Sequence, residues 1–563
     1  MDITEVIAKT RIIMDVEVNA RVNAVVFNWN RDGKWDVFIY WVRDGSIEKL
    51  TGGPDSYLMP TFSPRGDLVA YARDRDGDEN FQVIVRELDT GREEDITRDP
   101  GHYHFDPSFN PRGDVIAFTS NRSGRPMQLH VYEDGVVREV TRWDEPILDY
   151  EWVSNDEIVY VRGIYDTEVR LVNIRSLEDR LLLHFKDSET FLGDVDVEGG
   201  RFLFYSNADE WFDIGEFDLR RMEWRWVCRS SSEKYDPTYY AGGILFIEYS
   251  GGVNRLRLLD GGKLVDLDSH VEEFHVDNGV LAYIKSSSTT PSALVVNGRT
   301  VIDTTPQELR GALVKAKIGS YRSFDGRVIE AIIYKPGNWR GSAIIRVHGG
   351  PDAHSYDTWS PLSQLLALHG FMVIEPNYRG STGYGKSFLH LNDRDLGGGD
   401  LEDVVKAYEY ARSMGARRVY IMGASYGGYL TALALVKKPE LWSGGIAIVG
   451  FYNWYTEYER EADYLKAYDR VKMDPSLFHD RSPIFHLEKL KAPILLIHGA
   501  NDPRCPVYEV KQMAEKLEEL GRRYELVVYP DEGHSIRKEH NRVDMYRRII
   551  GFLEKLEREA ESS

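Results

Sequence analysis

Phe62-Ser63-Pro64-Arg65-Gly66-Asp67-Leu68-Val69-Ala70-Tyr71 returns as Phe109-Asn110-Pro111-Arg112-Gly113-Asp114-Val115-Ile116-Ala117-Phe118, an offset of 47 residues. A degenerate copy, Trp152-Val153-Ser154-Asn155-Asp156-Glu157-Ile158-Val159-Tyr160, begins 43 residues after Phe109. Each copy reads as a strand, a turn rich in Pro, Gly, Asn or Asp, and a second strand. A repeat of this length and content is the mark of a four-stranded propeller blade. Weaker copies stand at Arg201–Tyr205, Gly243–Ile247 and Gly279–Tyr283, and one blade precedes Phe62, so the count reaches seven. The regular offset favours a propeller over an array of β-sandwiches. An all-β, seven-bladed β-propeller is therefore expected over residues 19–305.

From about residue 306 the rhythm changes. Lys317–Phe324 and Val328–Tyr334 flank Asp325-Gly326, a strong hairpin turn. Strands then alternate with helices, the pattern of a parallel α/β sheet. One helix starts near Asp400, read as its cap, with Glu402 and Asp403 in the first turn; these acids are expected to be structural. An α/β-hydrolase with a doubly wound parallel sheet is expected over residues 306–563.

Within it, Val419–Met422 is an apolar strand, Gly423-Ala424-Ser425-Tyr426-Gly427 a tight turn, and Tyr429–Leu435 a helical run. Strand, turn and helix in that order make a nucleophile elbow, with Ser425 held out at the sheet edge. A serine hydroxyl needs a positioned base, and the base an orienting acid. Asp502 follows the strand Ile494–Ile497, and His534 follows the strand Tyr524–Tyr529. The order Ser425, Asp502, His534 is that of α/β-hydrolases. Asp531 is a rival acid, but it lies on the same loop as His534 and approaches the imidazole from behind. His348, His498 and His540 are rival bases, with His498 read as structural and His540 as a surface residue of the last helix. Ala343–Val347 runs into His348-Gly349-Gly350-Pro351, a turn whose N–H groups no side chain shields. The Tyr426 N–H and that of Gly350, or of Gly349 as second choice, are expected to form an oxyanion hole.

The net charge of −21 argues against a nucleic-acid or anionic-membrane partner. No apolar window is long enough for a transmembrane helix, and the charged N-terminus does not read as a signal peptide. Cys228 and Cys505 form no disulfide framework and no metal set, so a reduced, cytoplasmic location is expected, with no cofactor and no metal.

With these residues in hand, the chain resembles the prolyl oligopeptidase family of serine peptidases, and within it the acylaminoacyl peptidase (acylamino-acid-releasing enzyme) branch. The resemblance rests on His348-Gly349-Gly350-Pro351, Asn377–Gly385, Gly423–Tyr429, Asn501-Asp502-Pro503-Arg504 and Gly533-His534. The propeller half resembles the family only in architecture and repeat. The resemblance implies a propeller that caps the active site and restricts it to short peptides. It also implies that an N-terminal segment, residues 1–18, packs back on the hydrolase domain. Arg504 is placed to donate to a substrate carbonyl one residue before the cleaved one. His348 matches the acylaminoacyl branch, where other branches carry an aromatic residue. Dipeptidyl peptidases of the family hold a free amino terminus with paired glutamates, and no such pair is recognisable in this propeller. Phe451 and Trp454 follow the strand Gly445–Val449 and are candidates for an apolar pocket, or for ordinary core.

The expected activity is removal of N-acylated amino acids from short peptides through an acyl-enzyme on Ser425. The alternatives are an oligopeptide endopeptidase, a carboxylesterase and, from another class, a propeller interaction scaffold with a relic hydrolase domain. The edge strand near Lys317–Tyr334 is a candidate surface for homo-oligomer formation.

Overall fold

The computed structural model describes residues 2–562; Met1, part of the expected N-terminal segment, and Ser563 lie outside the described residues. Seven four-stranded antiparallel sheets follow one another, from the strand Ile13–Asn19 to the strand Arg299–Asp303. They are the seven blades expected from the repeat. The first strand begins at Ile13, ahead of the boundary at residue 19 drawn from sequence. The physical reason is a β-bulge between Met14 and Glu17, which breaks the two-residue alternation that would have marked the strand.

Every innermost strand carries such an irregularity in its pairing with the next. Bulges add twist, and they turn acidic side chains toward the adjoining blade. Glu17 accepts the Phe62 N–H at 2.7 Å, Asp149 that of Leu192 at 2.8 Å, and Asp194 that of Tyr239 at 3.1 Å. The ring closes in the same way. Glu273 accepts the Val16 N–H at 3.1 Å and Asp277 that of Ala20 at 2.7 Å. Each blade is built from consecutive strands, so the first and last blades meet through these bonds and packing, with no exchanged strand. The central tunnel includes a cavity of about 440 Å³ whose wall carries Asp149, Glu151, Asp194, Asp236 and His275.

The second domain is an eight-stranded sheet in the order 317–322, 328–334, 372–376, 342–347, 418–424, 445–448, 494–499, 524–529. The first two strands form the hairpin read from Asp325-Gly326, and the rest run parallel after one antiparallel junction. Helices cover both faces. Val404, Leu430, Leu433 and Val510 pack on one side; Leu365, Ile549, Ile550 and Leu553 pack on the other. Strands buried on both faces read as continuous apolar runs, as Ile494–Ile497 does.

The helix Ile3–Ala8, capped by Asp2, buries Ile7 and Ala8 in this second cluster. Arg547 pairs with Asp2 and Glu5, each at 2.8 Å. No described helix is long and apolar enough to cross a membrane.

Candidate active site

Ser425 stands at the end of the central strand Arg418–Ala424, with φ of 56°. A non-glycine residue adopts that conformation only where the surroundings enforce it. Here the enforcement comes from two glycines. A Cβ on Gly423 would lie 2.4 Å from the Gly427 backbone, and one on Gly427 would lie 2.2 Å from the Val347 carbonyl oxygen. Only bare backbone lets the helix Tyr426–Lys437 enter this close to the sheet.

The structure brings the three residues of the expected relay together. His534 Nε2 lies 3.0 Å from Ser425 Oγ. Its Nδ1 lies 2.8 and 3.0 Å from the two Asp502 oxygens. Asp502, 5 % exposed, also accepts the N–H groups of Arg504 and Cys505 at 2.9 and 3.0 Å. The two backbone donors fix this buried carboxylate before it fixes the imidazole.

The rival residues are occupied elsewhere. Asp531 binds Lys538 and Asn541 at 2.9 and 3.0 Å. His498 is fully buried, with Nε2 2.7 Å from the Cys505 carbonyl, and burial lowers its pKa. His348 stacks on Tyr378 at 4.2 Å and contacts the Ser381 hydroxyl at 2.9 Å. Burial lowers its pKa to about 4, so it is a neutral prop under the Gly349–Gly350 turn.

That turn lies against the nucleophile. A Cβ on Gly349 would stand 3.2 Å from the Ser425 Cβ, and Gly350 lines the cavity in front of it. The Tyr426 N–H belongs to the first turn of its helix, where no carbonyl one turn back can accept it. Asp400 differs from its reading as a cap. The helix Gly399–Ser413 starts from Gly398, and Asp400, fully buried one position inside, accepts the Tyr426 hydroxyl. Burial, stronger here than its hydrogen bonds, raises its pKa to about 6. The cause of the difference is the Gly397-Gly398-Gly399 run, which turns the chain into the helix one residue earlier, with Asp395 Oδ2 accepting the Gly399 N–H at 3.0 Å.

A cavity of about 170 Å³ opens beside Ser425 and His534, lined by Gly350, Phe451, Trp454 and Arg504 among others. Phe451 stacks on Tyr429 at 4.6 Å and meets Trp454 edge-on at 4.7 Å. Both aromatics are thus core and pocket wall at once. Arg504 Nε donates to Glu79 Oε2 at 2.9 Å, a propeller residue 425 positions away. Sequence reasoning missed Glu79, and also Glu532, which is 2 % exposed and accepts the Arg537 and Lys538 N–H groups that close the His534 loop. The same loop is tied to the propeller by Arg537 to Asp74 at 3.0 Å and by Lys538 to Asp76 at 2.7 Å.

Fold and site together define a propeller-capped α/β-hydrolase fold with a Ser–His–Asp constellation at the domain interface. Residues 358–558 match the model described as the prolyl oligopeptidase family. The relative "Dipeptidyl peptidase family member 6" of Caenorhabditis elegans is 36 % identical over 38 % of this chain and 30 % of its own length. "Acylamino-acid-releasing enzyme 2" of Oryza sativa subsp. japonica is 30 % identical over 34 % of this chain and 27 % of its own. The alignments therefore span about a third of each curated relative. Among solved structures, a Mycobacterium tuberculosis puromycin-hydrolyzing peptidase superposes with a TM-score of 0.85 at 19 % identity, over 97 % of this chain and 94 % of that one. An acylaminoacyl peptidase from Pyrococcus horikoshii gives 0.76 at 21 % identity, over 98 % and 97 %. These two likenesses establish the shared two-domain fold.

Proposed function

We propose that this chain is a serine peptidase of short peptides that releases an N-acylated amino acid through an acyl-enzyme on Ser425. The observation that carries the reading is the unbroken relay from Asp502 through His534 to Ser425, with contacts of 2.8 and 3.0 Å. In this reading His534 Nε2 takes the Ser425 proton as Oγ attacks the scissile carbonyl carbon. The Tyr426 and Gly350 N–H groups receive the oxyanion. His534 then returns the proton to the leaving amine as the C–N bond breaks, and water repeats the sequence to release the acylated residue. Asp502 holds the imidazole with its proton on Nδ1. Arg504, anchored by Glu79, donates to the acyl carbonyl that precedes the cleaved residue.

The propeller over the cleft supports a restriction to short chains. Two unpaired, buried cysteines support a cytoplasmic setting. The boundaries 19–305 and 306–563, with the first shifted to Ile13, are the functional division we adopt.

One observation favours a second reading, a dipeptidyl aminopeptidase. Glu79 places a propeller carboxylate beside Arg504, where a free amino terminus would be received. Initial rates on matched acetylated and free-amine peptide amides, with a simple ester alongside, decide between them. Faster acetylated substrates are expected. A kcat/KM advantage for the free amines replaces the first reading with the second, and turnover of the ester alone removes both.

A further inference from the structure

The cavity beside Ser425 is not closed by apolar groups alone. Behind Phe451 and Trp454 it is lined by Glu457, Glu461 and Asp469. Trp454 and Glu457 lie three residues apart on the helix Trp454–Arg460 and share its buried face. The next helix, Asp463–Lys472, brings Leu465, Tyr468 and Asp469 back to the same cavity.

Two buried glutamates in this region make an instructive contrast. Glu509 is fully buried and fully used. It accepts the Tyr452 and Asn453 N–H groups at 3.0 and 2.9 Å and the Gln512 amide at 2.8 Å, besides the Thr456 hydroxyl. That is a structural carboxylate. Glu457 is 2 % exposed and hydrogen-bonds the Cys505 thiol, yet its buried Oε2 has no hydrogen-bond partner. A buried oxygen left in this state costs free energy that a purely structural residue would avoid. The one arginine on the cavity wall, Arg504, is paired with Glu79.

We infer that Glu457, with Glu461 and Asp469 beside it, makes this cavity a receptor for a cationic side chain, so that the preferred peptides are cleaved after arginine or lysine. The aromatic walls would pack the methylene stem while the carboxylates receive the head group, a division of labour that long basic side chains allow. A guanidinium suits the site best, because its fork can bridge two carboxylates. Burial, followed by repulsion from Glu509, Glu461 and Asp469, pushes the Glu457 pKa well above the usual carboxylate range. Burial likewise raises Asp469 to about 7. An arriving cation reverses both effects, so the empty pocket is poised to ionise on binding.

The inference rests on the peptidase reading above and is tested with acetyl-arginine and acetyl-citrulline amides of one fluorogenic amine. Citrulline keeps the shape of arginine and loses its charge. The wild-type chain should favour arginine in kcat/KM by about tenfold or more, the range of a charge-assisted hydrogen bond. Glu457→Gln and, separately, Asp469→Asn should bring that ratio toward one. Should Glu457→Gln fail to fold, the wild-type ratio and the Asp469→Asn chain still decide. Equal or faster cleavage after citrulline in the wild type, or a ratio unmoved in both variants, overturns the proposal. Calorimetric titration of the Ser425→Ala chain with acetyl-argininamide and acetyl-citrullinamide reads the pocket without turnover. If neither amide is cleaved but argininamide binds at least tenfold tighter, the peptidase reading falls and the pocket stands. Equal binding removes the pocket.

Discussion

Arg504 shows how much one side chain at the cleft mouth can settle. Its Nε is held by Glu79 at 2.9 Å, so the guanidinium is oriented by the propeller while it serves the hydrolase domain. Arg504→Ala should lower kcat/KM on an acetylated peptide by about ten- to a hundredfold, the worth of a charge-assisted hydrogen bond. A simple ester, which has no preceding carbonyl, should lose little. Equal losses on both substrates would instead place Arg504 as a support for Asp502, which accepts its backbone N–H at 2.9 Å. At this scale the relay was legible in the sequence because each member follows a strand end, and glycines mark two of the three turns. The pocket acids were not. Glu457, Glu461 and Asp469 sit in a stretch dense with Glu, Asp, Arg and Lys that reads as a solvated helix, and only packing turns one face of it inward. Glu79 was invisible for another reason: nothing local to a propeller loop announces a partner in the other domain.

The elbow makes its demands at the scale of the element. A Cβ at Gly427 meets the Val347 carbonyl at 2.2 Å, and both atoms belong to backbone that cannot swing aside. Gly427→Ala should destabilise the domain by about 1–3 kcal/mol, as overpacking does, and should lower kcat because the helix must draw back from Ser425. Gly551→Ala is the matched control. It lies in the helix Glu539–Ser562 with nothing within 4 Å of the added carbon, and it should stabilise by about 0.5–1 kcal/mol. Denaturant unfolding of both variants checks the pair, and an unchanged midpoint for Gly427→Ala would contradict the packing argument. The strand–turn–helix pattern and the Asp-Gly hairpin were readable because their chemistry is local. The innermost propeller strands were harder to read, since every one carries a bulge that disrupts the alternation by which a strand is recognised. The Asp400 helix shows the same limit, for its start is set by a glycine run and its acid by a tyrosine 26 residues on.

Across the whole molecule, the propeller holds a ring of acids around its tunnel and ties down the loop that carries His534. Burial raises Asp106 to about 6, Glu17 and Asp149 to about 7, and Glu273 to about 8. These folded-state values exceed those of an unfolded chain, so the folded state binds more protons and stability falls as pH rises through them. The thermal midpoint of the full chain should therefore decline between pH 5.5 and 8.5, and Glu273→Gln should flatten the decline. A midpoint that climbs over that range would show the tunnel acids to be ionised in the folded state. The seven-fold repeat made the propeller legible, but its docking was not, because it depends on single ion pairs such as Arg537 with Asp74. The central claim is that this docked assembly works through Ser425. The most direct measurement treats wild type and Ser425→Ala with a fluorophosphonate probe, maps the label, and compares turnover of an acetylated peptide. Labelling at Ser425 alone, with kcat reduced by about 10⁴-fold or more in a variant that remains folded, is the expected result. Label at another residue, or near-normal turnover by Ser425→Ala, would contradict it.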